Sequence, residues 1–337
     1  MKAIKTNTND DWLVVVNPNA GRRKGEKDWG EIAKLLEDAN ISFVSVFTQR
    51  KFQATQLTRR HIEKDYKKII VVGGDGTLNE VVNGIFEQKK YDPSDIQVGM
   101  IPVGTGNDWC RMYGVKSEYA DAIETISDGK TLLQDAALVE YFEDSMPRKR
   151  YLVNMAGIGY DALVAQKTNA QKEKGQSNAL SYIYNLVASL FRWTSRSATI
   201  KVDDETIEAK VFSLSAGINQ FNGNGMKQLP FASPVDGLLD LTIIRHVGKM
   251  LVLRSVKKLF DGSFVNLPQV STHRGSRIEI HSNSRKDMAL EVDGESLGHS
   301  PITISAVPSG LTMIVPQAAA QKYQQLSESD QAVGQSV

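Results

Sequence analysis

The 337-residue chain holds a single cysteine, Cys110, which excludes an intramolecular disulfide and fits a reducing compartment. With no His or Asp patterned around it as a nucleophile's partner, Cys110 reads as a small buried thiol. Neither charge is in excess, with 40 Lys and Arg against 39 Asp and Glu. A near-neutral chain sets up no global field, so attraction to polyanions is local and nucleic acid is not an expected partner. The opening MKAIKTNTNDDW has no apolar core of a secretory signal, and no apolar run reaches the roughly eighteen residues that cross a bilayer. The expected location is the cytoplasm. Two nucleotide fingerprints are missing as well: G-x-x-x-x-G-K-S/T and G-x-G-x-x-G.

What is present suits two domains, since 41% hydrophobic content over this length supplies more than one small core. Residues 12–16, 41–47, 68–72 and 96–101 read as strands, with helix formers between them at 28–38 and 54–65. After the third strand, Leu78, Val81, Val82, Ile85 and Phe86 fall at helical spacing. Alternation of this kind predicts an α/β domain with a parallel sheet flanked by helices, over residues 1–140. From 141 to 316 the runs 150–155, 198–202, 209–215, 238–245, 277–281, 289–292, 302–305 and 311–315 are short and β-rich, interrupted by helical stretches at 178–191 and 249–260. They predict a mainly antiparallel β-sandwich or a distorted barrel. Residues 317–337, rich in Gln, Ala and Ser, read as a flexible tail.

Three glycine turns stand where an open parallel sheet places its ligands, at the carboxyl ends of strands. They are Asn17-Pro18-Asn19-Ala20-Gly21, Gly73-Gly74-Asp75-Gly76-Thr77 and Gly104-Thr105-Gly106-Asn107-Asp108. Glycine lets backbone N–H groups approach phosphate oxygens, and a following helix N-terminus adds partial positive charge. Thr77 and Thr105 can add hydroxyl donors. Asp75 and Asp108 would repel phosphate unaided, so their presence suggests a bridging Mg²⁺. Each turn alone has a bland reading, a tight turn with Asp or Asn as a cap. Three of them together, two carrying a carboxylate, make a triphosphate site the better account.

GGDGTLNEVVNG at 73–84 followed by PVGTGNDWCR at 102–111 resembles the signature of the diacylglycerol kinase catalytic-domain family, which includes bacterial soluble lipid kinases and the sphingosine and ceramide kinases. GGDG alone is shared with NAD kinases and phosphofructokinases; the LNE continuation with GTGND is more specific. NPNAG, SPVDGLLDL and EVDGES extend the likeness over most of the chain. The resemblance implies ATP as phosphoryl donor, a diacylglycerol-like lipid at the membrane surface as acceptor, and partners that include a second copy in a homodimer. It places Asn17, Pro18, Asn19, Ala20 and Gly21, Thr48, the loop Gly74, Asp75, Gly76, Thr77, Leu78, Asn79 and Glu80, and Thr105 around ATP. Asp75 and Asp108 match catalytic acidic residues, and Glu295 matches the general base. Ser233, Asp236 and the carbonyl of Leu238 match a structural Mg²⁺ site, linked through water to positions that here are Arg22 and Asp135.

In-line phosphoryl transfer needs positioning, charge neutralisation and a base at the acceptor hydroxyl. The expectation is that the first domain supplies nucleotide and metal, the second supplies base and lipid site, and the cleft is the active site. Two rivals stand beside this reading. One is a kinase of a soluble acceptor, of the NAD kinase type; the other is a non-catalytic lipid or nucleotide sensor, disfavoured by the intact Asp75, Asp108 and Glu295. The stretch 249–260 carries Arg254, Lys257 and Lys258 on one helical face and Leu253, Val256 and Phe260 on another. It reads as a core-packed helix with a solvated charged face, or alternatively as one that rests on anionic lipid.

Overall fold

The structure, a computed structural model, describes residues 11–104, 106–173, 188–191 and 193–334. Thr105 and most of the helix expected at 178–191 lie outside the described residues. The chain divides into two compact units. One comprises the chain up to Gln134 together with the stretch from Ser309, and the other is Asp135–Pro308.

In the first unit, β1 (Trp12–Val16), β2 (Phe43–Phe47), β3 (Lys68–Gly73) and β4 (Gln97–Pro102) form a parallel sheet in the order β2-β1-β3-β4. Leu13–Val16 and Ile69–Val72 are fully buried, as expected of apolar runs covered on both faces. The helices α1 (Ala20–Lys27), α2 (Trp29–Asp38), α3 (Gln53–Ile62), α4 (Asp75–Glu87), α5 (Asp108–Tyr113) and α6 (Tyr119–Asp128) alternate with these strands. α3 packs on α4 and α2 on α6. Leu78, Val81, Val82 and Ile85 form the buried face of α4, as their spacing predicts.

The end of the chain departs from expectation in two ways. The last part of β14 (Glu295–Ile314) joins the first unit's sheet, with Thr312 opposite Gln97 and Met313 opposite Val98, both parallel. The segment read as a flexible tail then forms α9 (Gln317–Gly334). Its Ala319 and Tyr323 are buried, and the Tyr323 ring meets Tyr113 of α5 edge-on at 5.6 Å. One narrow apolar stripe docks this helix, too sparse to stand out among Gln, Ala and Ser.

The second unit takes over β5 (Thr131–Glu143) from Asp135 onward and continues with β6 (Met146–Leu152) and β7 (Met155–Gly159). After α7 (Tyr160–Glu173) come β8 (Arg196–Val202), β9 (Glu205–Gly217), β10 (Leu239–Arg245), α8 (Lys249–Asp261), β11 (Val270–Gly275), β12 (Arg277–Ser282) and β13 (Ala289–Val292). Its ladders are antiparallel. Pairing runs β9-β8-β12-β14-β13-β7 and returns to β9. The expected two layers are therefore joined into a circuit by the long strands β9 and β14, each of which pairs with different neighbours along its length. Ile200, Leu214, Leu241, Ile280, Leu290 and Ile304 lie in one apolar core within it. Among the described residues no helix is long and apolar enough to cross a membrane.

Candidate active site

The three glycine turns meet in the first unit. Asn17 Nδ2 donates to Thr77 Oγ1 at 3.0 Å, joining the first turn to the second. Gly21 (φ 58) lies so close to the carbonyl of Val103 that no Cβ would fit, which brings the first turn against the strand end that leads to the third. Arg22 and Arg23 continue in the left-handed region at φ 62 and φ 67. Asp75, the first residue of α4, joins the second turn to the third: Oδ2 accepts from Asp108 N and Oδ1 from Trp109 N, each at 3.0 Å. A carboxylate so placed satisfies N–H groups at the start of α5 and complements its dipole. A side chain added at Gly106 would come within 3.4 Å of Asp75 Oδ2 and 3.8 Å of Asp108 Oδ2, so both carboxylates border one space.

The other expected nucleotide residues are distributed unequally. Thr48 is buried at the end of β2, its N–H bonded to Val16 O at 2.9 Å. Asn17 Oδ1 accepts from Asn19 N at 3.0 Å, shaping the first turn. Leu78 and Asn79 are fully buried, with Leu78 N–H bonded to Gly74 O at 3.1 Å, so they support the turn from beneath. Glu80 points elsewhere: its carboxylate accepts from Phe52 N at 2.9 Å and Ala54 N at 3.0 Å. It thereby anchors the start of α3. Cys110 is buried, and desolvation with the nearby Asp75 and Asp108 pushes its thiol well above the usual range. It stays a thiol, as expected.

α5 is supported from beneath. Trp109, fully buried, donates Nε1–H to Gln134 Oε1 at 2.8 Å, and Tyr113 OH donates to the same oxygen at 2.8 Å. Asp108 therefore sits on a helix fixed by Gln134 and by Tyr323.

In the second unit, Val292 pairs with Glu295 across the Asp293–Gly294 turn. Both turn residues are left-handed, at φ 48 and φ 82, as a two-residue hairpin requires. Glu295 opens β14 and is half-buried. The buried carboxylate of Asp293 accepts from the N–H groups of Val153, Asn154 and Met155 at 2.8, 2.9 and 3.0 Å. Asn169 Nδ2 donates to Gly294 O at 2.9 Å, and Glu291 Oε2 accepts from Gly294 N at 2.8 Å. Burial lifts Glu291 to about 8 and Asp161 to about 6. Sequence reasoning passed over Glu291, although a glutamate between Leu290 and Val292 with no polar alternation in the strand signals burial.

The segment expected to hold a structural metal is built around Asp135. Its Oδ2 accepts from Gly237 N at 2.7 Å and its N–H donates to Pro234 O at 2.8 Å. Ser233 Oγ is buried without a hydrogen-bond partner, and Asp236 Oδ1 accepts from Leu238 N at 3.0 Å. An orphaned hydroxyl beside a carboxylate and a carbonyl is an all-oxygen donor set that fits a hard cation. Arg274 also serves this place, reaching Asp236 at 3.3 Å and Asp240 at 3.2 Å. Among the described residues no three His, Cys, Asp or Glu side chains gather as a metal cluster.

Residues 11–139 match the diacylglycerol kinase catalytic domain, and residues 154–315 match the YegS C-terminal NAD kinase beta sandwich-like domain. The chain thus carries a diacylglycerol kinase catalytic domain followed by a YegS-type C-terminal domain. A diacylglycerol kinase of Staphylococcus carnosus (strain TM300) is 26% identical over 309 residues, spanning 90% of this chain and 94% of its own length. One from Staphylococcus epidermidis (strain ATCC 35984) is 28% identical over 309 residues, spanning 90% and 92%. A solved diacylglycerol kinase structure from Bacillus anthracis str. Sterne covers 92% of this chain and 98% of its own, at 23% identity and a TM-score of 0.68. That likeness shows the shared fold, an α/β unit and a β-rich unit. The catalytic-domain match and these relatives support a kinase of the lipid kinase kind.

Proposed function

We propose that the chain transfers the γ-phosphoryl group of ATP to the hydroxyl of diacylglycerol or a similar lipid. The observation that carries this reading is the convergence of three glycine turns through Asn17–Thr77 and Asp75–Asp108. Backbone N–H groups of these turns and the start of α4 bind the triphosphate. Asp75 and Asp108 would hold Mg²⁺, which when bound would supply neutralisation of charge on the transferring phosphate. Glu295 accepts the proton of the acceptor hydroxyl, a role the locked Asp293–Gly294 turn suits by holding its carboxylate in place.

The acceptor resides in a membrane, and α8 has the features of a peripheral contact. Val252, Leu253 and Val256 pack towards the cluster of Tyr160, Val164, Leu190 and Phe212. Arg254, Lys257 and Lys258 are exposed, as are Met250 at 61% and Phe260 at 53%. Cations interleaved with exposed apolar side chains suit an anionic lipid surface. Incubation of the protein with ATP, Mg²⁺ and a total lipid extract, followed by mass spectrometry, tests the reading, and a parallel panel includes NAD as a soluble acceptor. A phosphorylated lipid is the expected product. Phosphorylated NAD alone would favour the soluble-acceptor kinase, and no transfer to any acceptor would favour a sensor.

A further inference from the structure

Glu291 is 2% exposed on β13, directly opposite Gly157 of β7. The pair is matched in shape: a Cβ on Gly157 would stand 2.5 Å from Glu291 Oε1 and 3.0 Å from Asp161 Cβ. Only glycine at 157 leaves room for the carboxyl. Oε1 accepts from Asn222 Nδ2 at 2.9 Å, and Oε2 accepts from Gly294 N at 2.8 Å. A buried carboxyl is unfavourable by several kcal/mol unless it is fully hydrogen-bonded. Leu290 and Val292 point into the apolar core, so Glu291 faces the other side of the strand, where Asn222 and Asp161 lie. What the carboxyl adds is a fixed position for the Gly294 amide, one bond away from Glu295.

The turn is over-determined around this bond. Asp293 is tied to three successive N–H groups at 153–155, and the Gly294 carbonyl to Asn169 of α7. An ordinary hairpin turn needs none of these, because its two left-handed residues close it unaided. Among the described residues, Glu291 is the side chain that holds the turn's last N–H group before Glu295, and it does so from the turn's own strand.

We propose that Glu291 is a positioning residue, fixing the Asp293–Gly294 turn so that the Glu295 carboxylate keeps the orientation it needs towards the acceptor hydroxyl. The inference rests on the reading of Glu295 as the base. Misplacing a reacting group by about 1 Å can lower a rate on the order of 10²-fold. Exchanging the carboxyl for a leucine of similar bulk leaves the Gly294 amide unheld.

The test is a double-mutant cycle with Glu291→Leu and Glu295→Gln, read as kcat for lipid phosphorylation and KM for ATP. Glu291→Leu should lower kcat on the order of 10²-fold with KM for ATP unchanged. The same substitution in the Glu295→Gln background should change kcat by less than about twofold, because there is no base left to misplace. Glu291→Gln, which retains an acceptor for Gly294 N, should recover most of the loss. An equal fold-loss in both backgrounds, or full turnover in Glu291→Leu, would overturn the positioning role and leave the base assignment standing. Wild-type turnover in Glu295→Gln alone would overturn the base assignment and the positioning role together. Should Glu291→Leu fail to fold by circular dichroism, Gly157→Ala displaces the same carboxyl sterically and carries the cycle.

Discussion

The carboxylate of Asp75 spans the start of α5, one oxygen on the N–H of Asp108 and the other on that of Trp109, both at 3.0 Å. A carboxylate can accept both bonds, whereas an amide offers one acceptor and sets its NH₂ against the second N–H. Asp75→Asn should therefore lower turnover by orders of magnitude and also lower the unfolding midpoint, a bond to a charged group being worth about 1.5–3 kcal/mol. Asp108→Asn leaves those two bonds intact and should lower turnover alone. Initial rates and thermal melts of the two variants check the distinction, and full activity in either one removes that aspartate from the mechanism.

Glu291 makes stability depend on pH. Its folded-state value of about 8 exceeds the ordinary 4.5 because burial disfavours the charged form, with the bonds from Asn222 and Gly294 opposing. The fold holds this proton where the unfolded chain has released it. The contribution is fully present below the ordinary value and is lost as pH rises through about 8, with a slope on the order of 1 kcal/mol per pH unit. Asp161, lifted to about 6 from 3.8, acts in the same direction over a lower window. Urea unfolding at a series of pH values should give a falling curve for the wild type and a flatter one for Glu291→Leu. Parallel curves would mean that Glu291 does not hold its proton in the fold.

Much of the first unit was legible because its signals are local. The run at 12–16 is apolar throughout, the face of α4 repeats at helical spacing, and each glycine turn follows its strand directly. That Asp75 would bond to residues 33 and 34 positions later has no local signature. The same holds for Glu80, whose carboxylate anchors α3 and which the family resemblance placed around ATP instead. β5, β7 and β11 were missed as separate strands: in β5 burial alternates towards both ends but residue type does not follow it, with Leu133 exposed and Gln134 and Asp135 buried, while Gly157 and Gly159 in β7 read as loop. In the second unit, Asp293 was visible as a turn residue, but its three amide partners lie 138 to 140 residues away.

Charge on α8 should govern membrane contact. Reversing Arg254, Lys257 and Lys258 to Glu should lower co-sedimentation with phosphatidylglycerol vesicles several-fold at low salt, with the difference shrinking as salt screens the surface. Turnover on a detergent-solubilised short-chain lipid should be unaffected. Unchanged co-sedimentation of the triple variant would assign these cations to an ordinary solvated face.

The Tyr323 ring packs on Tyr113, which in turn lies 4.7 Å from the Trp109 ring. Tyr323→Ala should destabilise the first unit by about 3 kcal/mol, the usual effect of emptying a buried aromatic site. Intrinsic tryptophan fluorescence during urea unfolding, to which Trp109 contributes, reports it. Turnover should fall as well, because α5 carries Asp108. A variant with unchanged midpoint and rate would make α9 dispensable.

The return of the chain to the first unit has a consequence for biosynthesis. β4 borders Thr312 and Met313, so while a ribosome is still making Asp135–Pro308 that flank of the nascent sheet is bare. At typical elongation speeds the interval is on the order of ten seconds or more. An unpaired strand flank is a template for pairing with other chains, so the newborn protein passes through a window in which shielding by a chaperone matters. Asp135–Pro308, being one continuous stretch, gathers its strands as it emerges, and the unit begun first is the one finished last.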